Sequence, residues 1–302
     1  CEEAELLLKA EAYLGIQMEV LVTALSELVS GGQLILNDGK YYLRDLYVAE
    51  VKVAEYISEL LSARSPFGSI DIEAAIEWAS KRCGFELSVM QRNAIGMALG
   101  SKVSIITGGP GVGKTTIIRV LCDIWLAKKA KLALVAPTGR AARRMSESTN
   151  KKASTIHRLL KYNPQKDQFE YCSSNKLDSD IYILDESSMI DILLASDFLS
   201  AIPPHAIMVF VGDIDQLPSV GPGNVLRDFI DSGLIPCTKL DIIFRQQKGG
   251  AIIQNAHNVN QGKPFEPQPS NWHETDFFYI KCTEPERTIS VLKELPKGSS
   301  DY

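Results

Sequence analysis

The sequence predicts an α/β fold: a parallel sheet covered on both faces by helices, with a smaller helical region in front. Three observations carry this. Four short apolar runs, "VSIIT", "LALVA", "IYILD" and "AIMVFVG", alternate with helix-length segments from Val103 onward, which is the pattern of strands buried on both sides. The first run leads straight into "GGPGVGKTT" and then "IIRVLCDIWLAKK", so a strand, a glycine loop and a helix follow one another. Ahead of them the apolar residues recur at helical spacing.

Residues 1–30 read as two amphipathic helices, one with Leu6, Leu7, Ala10, Tyr13 and Leu14 on a face, the other with Val20, Leu21, Ala24, Leu25 and Leu28. "GGQLILNDGKYYL" then alternates around Asn37, Asp38 and Gly39, a hairpin signal. Helices followed by a hairpin suggest a winged-helix-like module. Residues 46–62 and 71–82 also read as helices, separated by Pro66, Phe67 and Gly68. The expected N-terminal region is 1–84. Between the second and third strands of the sheet lies the polar segment 162–180, with an alternating "FEY" core, expected to be an inserted hairpin or loop.

The 302 residues suffice for two domains, and 45% hydrophobic composition fills an ordinary core. No apolar run approaches the ~20 residues that span a bilayer. The first residues are acidic and helix-patterned, unlike a secretory signal. Six scattered cysteines without a C-x-x-C pair argue against structural zinc and for reduced, cytoplasmic thiols. The net charge of −5 hides a division: residues 1–80 hold fourteen acids and five bases, while residues 101–160 hold twelve bases against Asp123 and Glu147. A local basic surface is what phosphate contacts need. The acidic front favours a protein-facing or spacer role.

Residues 108–115 match G-x-x-x-x-G-K-[ST], a phosphate-binding loop. Glycines let successive N–H groups turn inward around phosphates, and the following helix points its positive end at the same charge. Gly109, Pro110, Gly111, Val112 and Gly113 form the loop, and Lys114, Thr115 and Thr116 open the helix. Lys114 is expected on the β- and γ-phosphates of ATP, and the Thr115 hydroxyl on Mg²⁺. Asp185 and Glu186 end the run "IYILDE". Strand ends of a parallel sheet share one edge, so Asp185 suits the metal and Glu186 suits the attacking water. The other reading of this pair is as caps of the helix from Ser187. Gln216 follows the last strand as a candidate γ-phosphate sensor, and Asp213 and Asp215 can cap that loop. The Gln91 amide can both donate to and accept from adenine; taken alone it is an ordinary exposed helix residue.

The ordered set "LSVMQRNAI", "GGPGVGKTT", "APTGRAARRM", "STIHRLL", "ILDESSM", "VGDIDQLPSVGPGNVL" and "IFRQ" resembles superfamily 1 helicases of the RecD/TraA type, similar to the alpha subunit of exodeoxyribonuclease V. The resemblance covers residues 87–262. It implies a first RecA-like ATPase domain over 85–234 and a second RecA-like domain beginning in 235–302 and incomplete there. It also implies ATP-driven movement along single-stranded DNA, 5′ to 3′, with duplex split at a pin formed by 162–180. Gln91 would read adenine, Asp185 and Glu186 would serve metal and water, Gln216 would sense the γ-phosphate, and Arg245 would approach it from the second domain. Pro137, Thr138 and Arg140 would grip DNA phosphate. Thr155 and His157 would lie on the strand path, or Thr155 would cap a short helix while His157 packs. Implied partners are single-stranded DNA and single-strand/duplex junctions, with possible protein partners through the acidic front and no membrane. Two alternatives stay open: an ATP-gated DNA-binding module without unwinding, and an ATPase acting on proteins.

Overall fold

The computed structural model describes residues 1–84, 86–240, 251–260, 262–265, 277, 281–282 and 285–294. The chain divides into two compact units, Cys1–Phe244 and Arg245–Tyr302. The first unit begins with α1 (Glu3–Leu14), α2 (Met18–Ser30), β1 (Leu34–Asn37), β2 (Lys40–Leu43), α3 (Arg44–Ser62), α4 (Ile72–Cys83) and α5 (Val89–Gly100). It continues with β3 (Val103–Gly108), α6 (Lys114–Ala127), β4 (Leu132–Ala136), α7 (Gly139–Thr149), β5 (Ala153–Thr155) and α8 (Ile156–Leu159). Then come β6 (Tyr162–Asn163), β7 (Gln168–Phe169), β8 (Ile181–Leu184), a 3₁₀ turn (Ser187–Met189), α9 (Ile192–Ala201), β9 (Ile207–Gly212), α10 (Val225–Asp231) and β10 (Cys237–Leu240). The second unit holds α11 (Ala251–Asn260) and α12 (Pro285–Glu294).

A six-stranded sheet runs in the order β10-β3-β9-β8-β4-β5, and each neighbouring pair is parallel. The P-loop strand β3 and the carboxylate strand β8 are therefore not adjacent: β9 lies between them. Side chains along a strand alternate faces, and the sequence obeys this strictly. Val103, Ile105, Val135, Tyr182, Leu184, Met208 and Phe210 join one core with α3 and α9. Ile106, Leu134, Ile181, Ile183, Val209 and Val211 join the other, with α4, α5 and α6.

This division corrects the expected N-terminal region. Residues 1–84 are not one module. Ala49, Val53, Ile57 and Leu60 of α3 are buried in the first core, and Ile76 and Ala79 of α4 in the second. Only α1, α2, β1 and β2 keep a core of their own, around Leu7, Leu21 and Leu25, with Leu34 and Tyr41 packed on it. The wing has the expected tight turn: Asp38 and Gly39 sit at φ 47° and 72°, the two left-handed positions of a type I′ hairpin.

β10 pairs in parallel with β3, so the first sheet extends beyond the division expected at 234/235. The segment "IFRQ" with Arg245 lies outside the described residues, as does almost all of "DFFYI". The inserted hairpin is present and small. Tyr162 pairs with Phe169 and Asn163 with Gln168, while 170–180 continues as irregular chain to β8. Among the described residues no single helix is long and apolar enough to cross a membrane.

Candidate active site

Every strand of the sheet points its carboxyl end at one rim, and the loop 109–113, Pro137, Thr138, Asp185, Glu186 and Gln216 follow closely on strand ends there. β3 ends at Gly108, and the chain turns through Gly111 at φ 80° and Gly113 at φ 91°. A side chain at those angles would strain the backbone. Gly113 is also the N-cap of α6, so the helix opens without any side-chain cap. Its first N–H groups have no acceptor within the helix, and an anion suits them. The Lys114 ammonium donates to the carbonyls of Gly108 and Gly109, the latter at 3.0 Å. Burial pushes its pKa below the ordinary lysine value, and Asp213, Asp185 and Glu186 pull it back, in that order. Asp213 exerts the largest of these pulls, and it follows β9, the strand beside β3.

Asp185 and Glu186 follow directly on β8. Burial pushes Asp185 up to about 6. The Glu186 N–H, which donates to Asp185 Oδ1 at 2.9 Å, and Lys114 oppose the rise, while the Glu186 charge adds to it. A carboxylate held from water in this way gains by meeting a divalent cation. Glu186 itself adopts φ 52°, a left-handed conformation that costs a non-glycine residue about 1–3 kcal/mol and clusters at functional sites. The turn after Glu186 receives no side-chain cap from it, so its carboxylate is left for the rim.

β9 ends at Gly212 and leads to Asp213, which is 3% exposed. Asp213 Oδ1 accepts the Asp215 N–H at 3.0 Å, and its carbonyl accepts the Gln216 N–H at 3.2 Å. The loop is therefore capped as expected, and Gln216 stands exposed beyond it. The depth of Asp213 and its pull on Lys114 were not read from the sequence. A lone Asp after a glycine gives no sign of which neighbour it faces.

Gln91 is the clearest departure from a residue-by-residue reading. It is buried, not exposed. Ser88 Oγ accepts the Gln91 N–H at 3.2 Å, and Gln91 Oε1 accepts the Ser88 N–H at 3.1 Å. This is a reciprocal capping box at the start of α5. The spacing Ser-x-x-Gln was the available signal.

The β4–β5 half of the rim is different. Ala136 and Thr155 are partners in register, so α7 and α8 start side by side. Thr138 Oγ1 accepts the Ala141 N–H and Thr155 Oγ1 accepts the Arg158 N–H, each at 3.2 Å. Both threonines are N-caps; of the two readings of Thr155, the geometry is the capping one. Pro137 is half-buried and Arg140 exposed. Arg143 is tied to Glu147 at 2.9 Å on the outer face of α7. The exposed His157 ring lies 5.6 Å from Tyr162 and 5.7 Å from Phe169, whose rings are 5.2 Å apart. These three aromatic rings form the base of the β6–β7 hairpin.

Residues 91–222, from Gln91 through the loop after β9, match the family model described as AAA domain. The chain is 34% identical over 257 residues to the ATP-dependent RecD2 DNA helicase of Deinococcus radiodurans, covering 84% of this chain and 35% of that protein. It is 34% identical over 215 residues to the RecBCD enzyme subunit RecD of Mycolicibacterium smegmatis, covering 63% of this chain and 37% of that subunit. The chain belongs to the RecD family. This RecD-type chain spans about a third of the length of the curated relatives it matches. A crystal structure of Pif1 helicase from Candida albicans aligns over 60% of this chain and 45% of its own, with a TM-score of 0.45 and 19% identity.

Proposed function

We propose that this chain is the nucleotide-binding part of an ATP-driven DNA helicase. The observation that carries the reading is the shared rim: one edge of one parallel sheet bears Lys114, Asp185 and Glu186 at one end and two adjacent helix starts at the other. Magnesium-bound ATP would supply the phosphoryl group whose transfer to water drives the motor. The uncapped start of α6 and the Lys114 ammonium bind phosphate, with the loop 109–113 and Thr116 around it. Thr115 and Asp185 would hold the metal. Glu186 takes the proton of the attacking water, and Gln216 is the proposed sensor of the last phosphate. Gln91 is the proposed reader of adenine. Arg245 completes the proposed set from outside the described residues.

Single-stranded DNA runs along the β4–β5 half, its phosphates on the N–H groups that open α7 and α8, with Pro137, Thr138, Arg140, Thr155 and His157 along the path. The β6–β7 hairpin, stiffened by its three aromatic rings, is the proposed pin at a single-strand/duplex junction. Movement 5′ to 3′ and a cytoplasmic site of action belong to the same reading. The first module offers a protein-facing surface, where Tyr13 is 93% exposed and Leu8 61% among acidic neighbours.

The deciding experiment is ATP turnover of the protein with and without single-stranded DNA, followed by displacement of an annealed strand. Stimulated turnover with displacement supports the motor. Stimulation without displacement assigns an ATP-gated binding module. Turnover indifferent to DNA overturns the nucleic-acid rim and favours action on proteins.

A further inference from the structure

β8 and β9 run side by side, with Leu184 opposite Phe210, and both end at the rim within two residues of that pair. The turn after β8 carries Glu186, and the turn after β9 carries Asp213 and Gln216. Two bonds fix the Glu186 backbone locally: its N–H on Asp185 Oδ1 at 2.9 Å, and its carbonyl on the Met189 N–H at 3.1 Å. Neither refers to β9. The Ser187 hydroxyl does, donating to the carbonyl of Val211 at 2.8 Å. Among the described residues it is the only side-chain hydrogen bond from the turn after β8 to β9. Ser187 is 1% exposed, so water does not compete for the bond.

Gly212 makes the closeness possible. A Cβ built there would stand 2.7 Å from Ser187 Oγ, 2.8 Å from Leu226 Cδ2 and 3.2 Å from the Ser188 nitrogen. Every other residue carries that atom, so the two turns touch only because position 212 has none.

We infer that Ser187 is a positioning residue, whose bond to Val211 against the bare Cα of Gly212 holds Glu186 in fixed relation to the Gln216 loop. It contacts no substrate and acts through Glu186. The inference rests on the proposed ATP-driven reading, in which Glu186 is the base. A base displaced by about 1 Å loses on the order of a hundredfold in rate, while nucleotide affinity, set on the other side of β9 by the P-loop, is untouched.

The test is kcat against nucleotide affinity for three forms of the protein: Ser187→Ala, Gly212→Ala, and Ser187→Gly combined with Gly212→Ala. Ser187→Ala is expected to lower DNA-stimulated kcat about a hundredfold at unchanged affinity for a fluorescent ATP analogue. The combined variant clears the nearest obstacle to the new methyl but still lacks the hydroxyl, so it is expected to fall to the same level. If Gly212→Ala does not fold, the other two still decide. A Ser187→Ala protein with a lowered thermal midpoint but normal kcat would make the hydroxyl merely structural and overturn the inference. So would wild-type kcat in the combined variant. A wild-type protein that does not hydrolyse ATP at all removes the functional reading and this inference with it; an active wild type beside an active Ser187→Ala removes the inference alone.

Discussion

The two halves of the sheet's rim are built from the same strand–turn–helix unit, yet they place their polar groups differently. In the β3–β9–β8 half, charge is driven inward: burial and the carboxylates of Asp213, Asp185 and Glu186 act on Lys114, and Asp185 is pushed up to about 6. In the β4–β5 half, Thr138 and Thr155 are used up as helix caps, and the charged groups stand in solvent. The first arrangement alters protonation and suits bond-breaking. The second offers backbone N–H groups with no titrating partner and suits holding a polyanion without reacting with it.

The largest test of the contrast is Glu186→Gln. Removing a general base costs about 10²–10⁴ in turnover, and the isosteric amide leaves nucleotide affinity in place. Single-turnover hydrolysis beside a binding titration measures both. Normal turnover would move the base elsewhere and erase the chemical half of the contrast.

A smaller effect comes from Asp185 and pH. Its folded value, about 6, lies above the ordinary 3.8, so the folded protein binds this proton more tightly than the unfolded chain. The associated stability is present in full below 3.8 and lost as pH rises through about 6. Asp185→Asn in chelator should therefore raise stability near neutral pH by on the order of 2 kcal/mol and flatten the dependence over that window. Thermal midpoints of the two proteins across acidic and neutral pH report it. A midpoint difference that does not change with pH would mean that Asp185 is not perturbed.

The smallest effect belongs to the other half. Thr138→Ala should cost about 1 kcal/mol through the lost cap, weaken single-strand binding modestly, and leave DNA-free nucleotide affinity alone. Chemical denaturation and a DNA titration separate the terms. A loss of nucleotide affinity would show that the halves are not independent.

Legibility in the sequence followed the range of the interaction. The P-loop was readable because Gly111 and Gly113 answer a local backbone demand. Asp185 and Glu186 were readable because an apolar strand announces where it stops. The wing turn was readable for the same reason as the P-loop. The placement of α3 was not: Ala49, Val53, Ile57 and Leu60 declare a buried stripe at helical period, but a stripe does not say which surface it meets, and this one meets α9 and the sheet. β10 was missed as a member of the first sheet because a short strand such as "CTKL" carries no sign of its neighbour. Ser187 was invisible for the same reason, since its partner Val211 is a backbone carbonyl 24 positions away.

The capping box at α5 fixes the direction of the Gln91 amide. Gln91 Oε1 already accepts the Ser88 N–H, so one of its two acceptor positions is spent on holding the start of α5. In the proposed reading, whatever this amide gives a base comes from a group whose orientation the helix start has already fixed.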